Sequence, residues 1–211
     1  MHPFYHFLKP RIQEPLPGEK AQLKMSPVPL DPELVLPTEK TDSPHPSGVL
    51  IPLFPDKNRQ LNVILTLRTQ SIRHAGQISF PGGRQENGED LLQTALRETK
   101  EEVGITPSEI HIAGAITPLY LHKTSNKITP YIGFLQDEPA LVPNPNEVEE
   151  IVVTSLDILL KTETLKRKEW ELKIATFDVP YWDIHETPLW GATAMMMSEL
   201  LELYSEFKNS N

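Results

Sequence analysis

Residues 83–105 read GRQENGEDLLQTALRETKEEVGI and contain the spacing G-x5-E-x7-R-E-x2-E-E-x-G. The stretch starts at a glycine-rich turn and continues into a predicted helix from Asp90 to Val103, which Gly104 ends in a left-handed conformation. Several carboxylates on one helix beside such a turn suit a hard divalent cation and a phosphate-bearing substrate. The residues that define the spacing are Gly83, Glu89, Arg97, Glu98, Glu101, Glu102 and Gly104.

The predicted helix separates an acidic side from an apolar side. At about 100° per residue, Glu101 and Glu102 lie about 60° and about 40° from Glu98, one on each side of it. The residues predicted to face the sheet lie roughly opposite, and they are Leu92, Leu96, Thr99 and Val103. Acidic helix faces are common without any function. This face, however, follows Gly82-Gly83, where the freedom of glycine lets a backbone carbonyl approach a metal ion.

Composition limits the classes of function that need to be considered. The chain has 211 residues, of which 38% are hydrophobic and 23% charged, and its net charge is −9. An acidic chain has no overall basic field, so we predict no nucleic-acid partner. The chain contains no cysteine, which excludes disulfides and cysteine-based zinc sites. No apolar run approaches the ~18 residues of a membrane span, so we predict no membrane partner and a cytoplasmic location.

The chain divides into two segments by composition. Residues 1–47 are rich in proline and are predicted to be an extension, whereas residues 48–211 are predicted to form the folded domain. The body has several strand-like runs, then the acidic helix, then further strands and a last helix, which indicates an α/β fold with a mixed sheet between helices. The predicted strands are Gly48–Phe54, Leu61–Arg68, Gln77–Phe80, His111–Thr117, Lys127–Leu135, Ile151–Thr154 and Lys168–Val179, and the last helix is Ala192–Phe207. The sequence leaves open that Lys168–Val179 is one arm of a hairpin starting near Thr162.

The stretch from Gly83 to Ile105 resembles the signature of the Nudix hydrolases, with Thr99 at a position where that signature usually has an aliphatic residue. The resemblance implies an α/β/α sandwich around a mixed sheet. It also implies that Mg²⁺ or Mn²⁺ is bound by Glu98, Glu101 and Glu102 with the Gly83 carbonyl. In that family, Glu89 pairs with Arg97 and orients the acidic cluster.

The preceding segment is similar to that of coenzyme A pyrophosphatases. The shared residues are Leu65-Thr66-Leu67-Arg68, Arg73, Gly76 and Phe80-Pro81-Gly82-Gly83. Thr69 replaces a small residue of that pattern, and the stretch between Arg68 and Gly76 is one residue short. The resemblance implies hydrolysis of coenzyme A or an acyl-CoA to 3′,5′-ADP and 4′-phosphopantetheine. The alternatives are a Nudix pyrophosphatase acting on ADP-ribose, NADH or a nucleoside triphosphate, and a non-catalytic nucleotide sensor.

Roles follow for residues outside the acidic helix face. Arg68, Arg73 and Arg84 are candidates for phosphate contacts, and His74 is a candidate for contact with the small-molecule nucleotide substrate. The general base that activates water is left open among five glutamates, which are Glu98, Glu102, Glu147, Glu149 and Glu150. The sequence leaves both a monomer and a homodimer open.

Overall fold

A computed structural model describes residues 1–35, 43–69 and 76–210 of the protein. The helices of these residues are α1 (Pro3–Arg11), α2 (Gly18–Leu23), α3 (Leu91–Val103), α4 (Leu156–Leu159) and α5 (Gly191–Asn209), with short 3-10 helices at Pro107–Glu109 and His122–Thr124. The strands are β1 (Val28–Pro29), β2 (His45–Pro55), β3 (Leu61–Arg68), β4 (Ile78–Ser79), β5 (Gly82–Arg84), β6 (His111–Ala115), β7 (Leu119–Leu121), β8 (Asn126–Phe134), β9 (Val148–Ser155), β10 (Leu165–Leu172) and β11 (Ala175–Trp182).

Strands β2 to β9 form the larger sheet, which is mixed because β2 pairs in parallel with β8 and antiparallel with β3 and β5. Strands β2 and β3 pair only near the turn that joins them, at Leu53–Pro55 and Leu61–Val63. Beyond that point they separate, and the gap is filled by β4 against β3 and by β5 against β2. The sheet topology therefore places the double glycine of β5 beside Gly48 of the central strand.

The larger sheet is covered by helices on both faces. Along β2, Ile51 and Leu53 belong to the core shared with α1 and α5, whereas Leu50 and Phe54 belong to a second core under α3. Side chains alternate between the two faces of a strand, so one apolar strand supplies both cores. The predicted α/β/α sandwich around a mixed sheet is thus confirmed.

The proline-rich segment lies on this body over the part that the structure describes. Phe4 and Leu8 of α1 are fully buried in the core with α5. On α5, the buried Glu199 carboxylate accepts hydrogen bonds from Gly18 N–H at 3.1 Å and from Gln22 Nε2 at 2.9 Å. Residues 36–42 lie outside the described residues, and β2 begins at His45, three residues before the predicted strand start.

The structure contains a second, smaller sheet of three strands, which the sequence pattern did not distinguish from the larger one. A hairpin is present, as the sequence left open, but its arms are β10 and β11, so that Lys168–Val179 contains the turn and is not a single arm. Strand β1 pairs on the far side of β11. The turn between Leu172 and Ala175 reverses the chain in the middle of a run that looked extended throughout. Among the described helices, none combines the length and the apolarity that a bilayer crossing requires.

Candidate active site

Both ends of helix α3 are set by local features of the sequence. It begins at Leu91, where the Asp90 side chain accepts from Gln93 N–H and the Gln93 side chain accepts from Asp90 N–H, which completes a capping box. It ends at Gly104, whose φ of +80° is the left-handed conformation predicted for it. Leu92 and Leu96, which were predicted to face the sheet, are only half-buried, whereas Ala95 is fully buried. The helix is therefore rotated about its axis relative to the prediction, so that Ala95 faces the sheet.

Gly48 sets how closely α3 approaches the sheet. A Cβ atom at Gly48 would lie 2.1 Å from the Leu91 carbonyl oxygen and 3.2 Å from Ala95 N. The first turn of α3 therefore rests directly on the backbone of β2, which no side-chain-bearing residue would permit without a backbone shift. This contact fixes the height of every α3 side chain above the double glycine of β5.

The Arg97 guanidinium holds the acidic side chains around α3 in place. It donates to both oxygens of Glu89, at 3.1 Å from Nε and 3.0 Å from Nη2. Its Nη1 donates to Glu98 at 3.0 Å and to Glu101 at 3.1 Å. A planar guanidinium with several donors suits this arrangement, because it orients three carboxylates at once.

Glu89 closes the loop between β5 and α3. Hydrogen bonds from Arg97 lower the pKa of Glu89 to about 2, with further contributions from Glu86 N–H and the Thr94 hydroxyl. The Thr94 hydroxyl donates to Glu89 at 2.7 Å, and Glu86 N–H donates to it at 2.9 Å. Glu89 therefore stays ionised at neutral pH and orients Arg97 from behind the cluster.

Three carboxylates converge beside the double glycine. Oxygen atoms of Glu98, Glu102 and Glu147 lie within 4.8 Å of one another. The Glu98 carboxylate lies against Gly83, where a Cβ atom would come within 2.1 Å of its Oε1. Glu102 is buried, and it accepts from Gly82 N–H at 3.3 Å and from Arg68 Nη1 at 3.4 Å.

This cluster is electrostatically unfavourable without a cation. Burial raises the pKa of Glu102 to about 8, the negative charges of Glu98 and Glu147 add to the rise, and Arg68 opposes it. Burial also raises the pKa of Glu98, against the effect of Arg97. Crowded carboxylates of this kind supply the oxygen ligands that Mg²⁺ and Mn²⁺ prefer. The residues present therefore fit a divalent ion.

Glu147 lies in the loop before β9, far from α3 in the sequence. Backbone hydrogen bonds hold this loop against the end of α3 and so place Glu147 in the cluster. Val142 N–H donates to the Val103 carbonyl and Asn144 N–H to the Glu102 carbonyl, both at 3.0 Å. The sequence offered Glu147 only as a candidate base and missed it as a member of the cluster. Its signal in the sequence is its place among the closely spaced glutamates Glu147, Glu149 and Glu150.

The other predicted site residues take different positions. Glu101 is half-exposed and bound by Arg97, outside the group of three convergent carboxylates. Arg84 is exposed, and its carbonyl oxygen accepts from Arg97 Nη2 at 3.4 Å. Glu149 and Glu150 are exposed on β9, and Glu150 lies 3.3 Å from His185 Nε2. The predicted substrate residues Arg73 and His74 lie outside the described residues.

In the metal-free protein, the raised pKa of Glu102 should make folding weaken as the pH rises. The unfolded chain releases this proton near its ordinary pKa of 4.5, whereas the folded protein keeps it up to about 8. Stability from this group is present below 4.5 and is lost as the pH rises through the folded value. In EDTA, we expect the Tm of the wild type to fall between about pH 5 and about pH 8 by on the order of 10 °C more than that of Glu102→Gln. Thermal unfolding of both proteins measures this difference, and equal falls would contradict it.

A family model described as the NUDIX domain matches residues 44–174. The chain is 35% identical over 159 residues to Nudix hydrolase 15, mitochondrial, of Arabidopsis thaliana, covering 72% of this chain and 55% of that protein. It is 31% identical over 180 residues to Nudix hydrolase 3 of Caenorhabditis elegans, covering 77% and 75%. It is 32% identical over 124 residues to a peroxisomal coenzyme A diphosphatase of Mus musculus, covering 58% and 52%. The chain thus spans about half the length of the plant and mouse relatives.

The fold is also similar to that of solved structures. The crystal structure of a Nudix hydrolase from M. smegmatis, RenU, superposes with a TM-score of 0.57 at 18% identity. The superposition covers 77% of this chain and 86% of the solved one. At that level of identity the likeness concerns the arrangement of helices and strands alone.

Proposed function

Because this chain belongs to the NUDIX family, we propose that it is a metal-dependent hydrolase of coenzyme A or an acyl-CoA. With water it cleaves the pyrophosphate bond and releases 3′,5′-ADP and 4′-phosphopantetheine, which keeps its acyl group when the substrate is an acyl-CoA. The convergence of Glu98, Glu102 and Glu147 beside the double glycine carries this proposal. The cluster offers a divalent ion several oxygen ligands, and two of its members, Glu98 and Glu147, are partly exposed.

Mg²⁺ or Mn²⁺ is the cofactor of this proposal. Glu98 and Glu102 would hold it, and Glu101 and the Gly83 carbonyl are further ligand candidates. When bound, a divalent ion supplies positive charge to the phosphate oxygens and lowers the pKa of a coordinated water. Pyrophosphate hydrolysis needs little covalent chemistry from the protein, so a cation held in a fixed position supplies much of the catalysis.

Hydrogen bonds within the chain hold the acidic side chains in position. Arg97 and Glu89 hold Glu98 and Glu101 in fixed directions, and Gly82 N–H does the same for Glu102. Within the described residues, no hydrogen bond reaches the Glu147 carboxylate, which is partly exposed. Glu147 is therefore our candidate for accepting the proton of the attacking water, ahead of the exposed Glu149 and Glu150.

Substrate recognition is proposed from charge and from the relatives. Arg68 lies at the cluster, half-buried beside Glu102, where a guanidinium can contact a phosphate oxygen. Arg84 is exposed and directly follows the double glycine in the sequence. Substrate contacts of Arg73 and His74 stay predictions. A relative named as a coenzyme A diphosphatase supports the choice of substrate. The cytoplasmic location stays a prediction, since relatives carry mitochondrial and peroxisomal names. The absence of a nucleic-acid partner also stays a prediction.

A substrate panel tests the proposal. The protein with Mg²⁺ or Mn²⁺ is given coenzyme A, acetyl-CoA, ADP-ribose, NADH and a nucleoside triphosphate, and the products are separated by chromatography. We expect kcat/KM to be at least about tenfold higher for coenzyme A or its acyl ester than for the others, a preference of about 1.4 kcal/mol.

Two results would contradict the proposal in different ways. A preference for ADP-ribose would replace the substrate and keep the reaction class. Binding of coenzyme A without turnover of any compound on the panel would favour the nucleotide sensor. The Glu98→Gln variant serves as the control that links the products to the acidic cluster.

A further inference from the structure

A β-bulge sets the register in which the end of β3 meets the loop before β9. The two strands pair regularly as far as Leu67 and Glu150, and the next pair is Arg68 with Val148. One residue of β9 is therefore skipped and has no partner on β3. Bulges often lie next to active sites, where they change the direction of a side chain. Because of the skipped residue, the chain that follows Arg68 meets the loop at Glu147.

Thr69, the residue after Arg68, binds both peptide groups that flank the Cα atom of Glu147. Its hydroxyl donates to the Asn146 carbonyl oxygen at 3.1 Å, and its N–H donates to the Glu147 carbonyl oxygen at 3.0 Å. The N–H of Glu147 donates to the Asn144 carbonyl oxygen, also at 3.0 Å. Since each peptide group is planar, fixing both of them leaves little freedom in φ and ψ of Glu147. The direction of its Cα–Cβ bond is then fixed as well.

This backbone contact matters because the Glu147 side chain has no such support of its own. The carboxylate is partly exposed and, among the residues that the structure describes, it accepts no hydrogen bond. Glu98, by contrast, accepts from Arg97 at 3.0 Å. Glu102 accepts from Gly82 N–H at 3.3 Å. The convergence of Glu147 with these two carboxylates, within 4.8 Å, therefore depends on how its backbone is held.

The side chain of Thr69 suits this task. Thr69 is the residue that departs from the coenzyme A pyrophosphatase pattern, in which a small residue is usual at this position. Threonine has a hydroxyl that can donate to a carbonyl, and its branched Cβ restricts χ1. A restricted side chain loses less rotamer freedom when its hydroxyl is held in one direction. The departure therefore gives the loop a firmer contact than an unbranched side chain would.

We propose that Thr69 is a positioning residue, which holds Glu147 in the direction that it needs to accept a proton from the attacking water. This inference rests on the proposed function, in which Glu147 is the base. Thr69 acts through the backbone of the loop and makes no contact with metal or substrate. A base in the wrong direction slows proton transfer but leaves substrate binding intact. The loss of this contact should therefore lower kcat and leave KM unchanged.

Substitution of Thr69 tests the proposal on the best substrate of the panel. Thr69→Val keeps the size, the branched Cβ and the N–H of the residue and removes only the hydroxyl. We expect kcat to fall about tenfold and KM to change less than about twofold. Thr69→Ser restores a hydroxyl and should return kcat to within about threefold of the wild type. A Thr69→Val enzyme with the kcat of the wild type overturns the proposal.

The matched control is Thr164→Val. It removes a threonine hydroxyl that donates to the Ile158 carbonyl at 2.8 Å, in the turn before β10 of the smaller sheet. The same chemical change is thus made away from the acidic cluster, and kcat should stay within about twofold of the wild type. An equal fall of kcat in both valine variants overturns the proposal.

A second background separates positioning of the base from a general effect on the fold. Glu147→Gln removes the proposed base and should lower kcat about a hundredfold. Thr69→Val then has no base to position, so the double variant should lose less than about twofold more. A further tenfold fall in the double variant overturns the proposal, because Thr69 would then act independently of Glu147.

Hydrogen exchange tests the contact without any turnover. In the metal-free protein, peptides that cover residues 144–148 should exchange at least about fivefold faster in Thr69→Val than in the wild type. Thr164→Val should exchange there at the wild-type rate. Unchanged exchange in Thr69→Val overturns the proposal whatever the substrate is. Faster exchange together with a wild type that turns over no compound of the panel would instead overturn the proposed function.

Discussion

Replacement of Glu98 by glutamine is expected to lower kcat by about three orders of magnitude. The Glu98 carboxylate lies against Gly83, accepts from Arg97 at 3.0 Å and belongs to the group of three convergent carboxylates. Glutamine keeps the size of the side chain but removes its charge, and a neutral amide is a poor ligand for a divalent ion. The expected fall in kcat therefore comes from losing a cation that is held in position against the phosphate oxygens.

The matched control for this change is Glu149→Gln, which makes the same substitution on an exposed glutamate of β9. Its kcat should stay within about twofold of the wild type. Mn²⁺ binding, followed by paramagnetic resonance, should weaken at least about tenfold in Glu98→Gln and not in the control. Since burial raises the pKa of Glu98, the metal-free variant should be no less stable than the wild type, which separates loss of the site from loss of the fold. A Glu98→Gln enzyme that kept more than a tenth of the wild-type kcat would remove Glu98 from the ligand set.

Gly48→Ala is expected to destabilise the protein by about 3 kcal/mol or more. The new methyl group would lie 2.1 Å from the Leu91 carbonyl oxygen, which belongs to the backbone and cannot rotate away. Either α3 or β2 has to move, and displacement of packed backbone in a core is costly. Because the same helix carries Glu98 and Glu102, a shift of even a few tenths of an ångström should also lower kcat.

Urea unfolding measures the free energy of unfolding of this variant. The matched control is Gly88→Ala, because a Cβ atom there meets nothing within 4 Å and the change only strains a φ of +91°. That strain should cost about 1 kcal/mol. If both variants lost the same free energy, the contact between Gly48 and α3 would not limit the packing of the helix.

The sequence predicted α3 to within one residue because every signal that forms it is local. The capping box of Asp90 and Gln93 and the left-handed Gly104 act within one turn of the ends they define. The acidic face was also predictable, since helix geometry alone brings Glu98 and Glu102 together. The rotation that buries Ala95 was not, because it depends on Gly48, a residue of another element.

Contacts between distant segments were beyond the reach of the sequence pattern. Glu147 enters the cluster through backbone hydrogen bonds from Val142 and Asn144 to the end of α3. Backbone groups are the same in every residue, so no side-chain pattern announces where such bonds form. The same holds for the burial of Phe4 and Leu8 of α1, because the core that receives them includes α5 at the other end of the chain.

The sequence alone thus indicated the family, through the resemblance of Gly83–Ile105 to its signature, and the α/β class, through the order of its strand-like and helical runs. It also predicted the acidic helix, because spacing along one chain segment sets helix faces and turns directly. Only the tertiary structure decided that Glu102 is buried, that Glu147 rather than Glu101 converges with it, and that β10 and β11 belong to a second sheet. These outcomes depend on which elements pack against one another. That choice is made by the free energy of the whole chain and not by any local stretch of it.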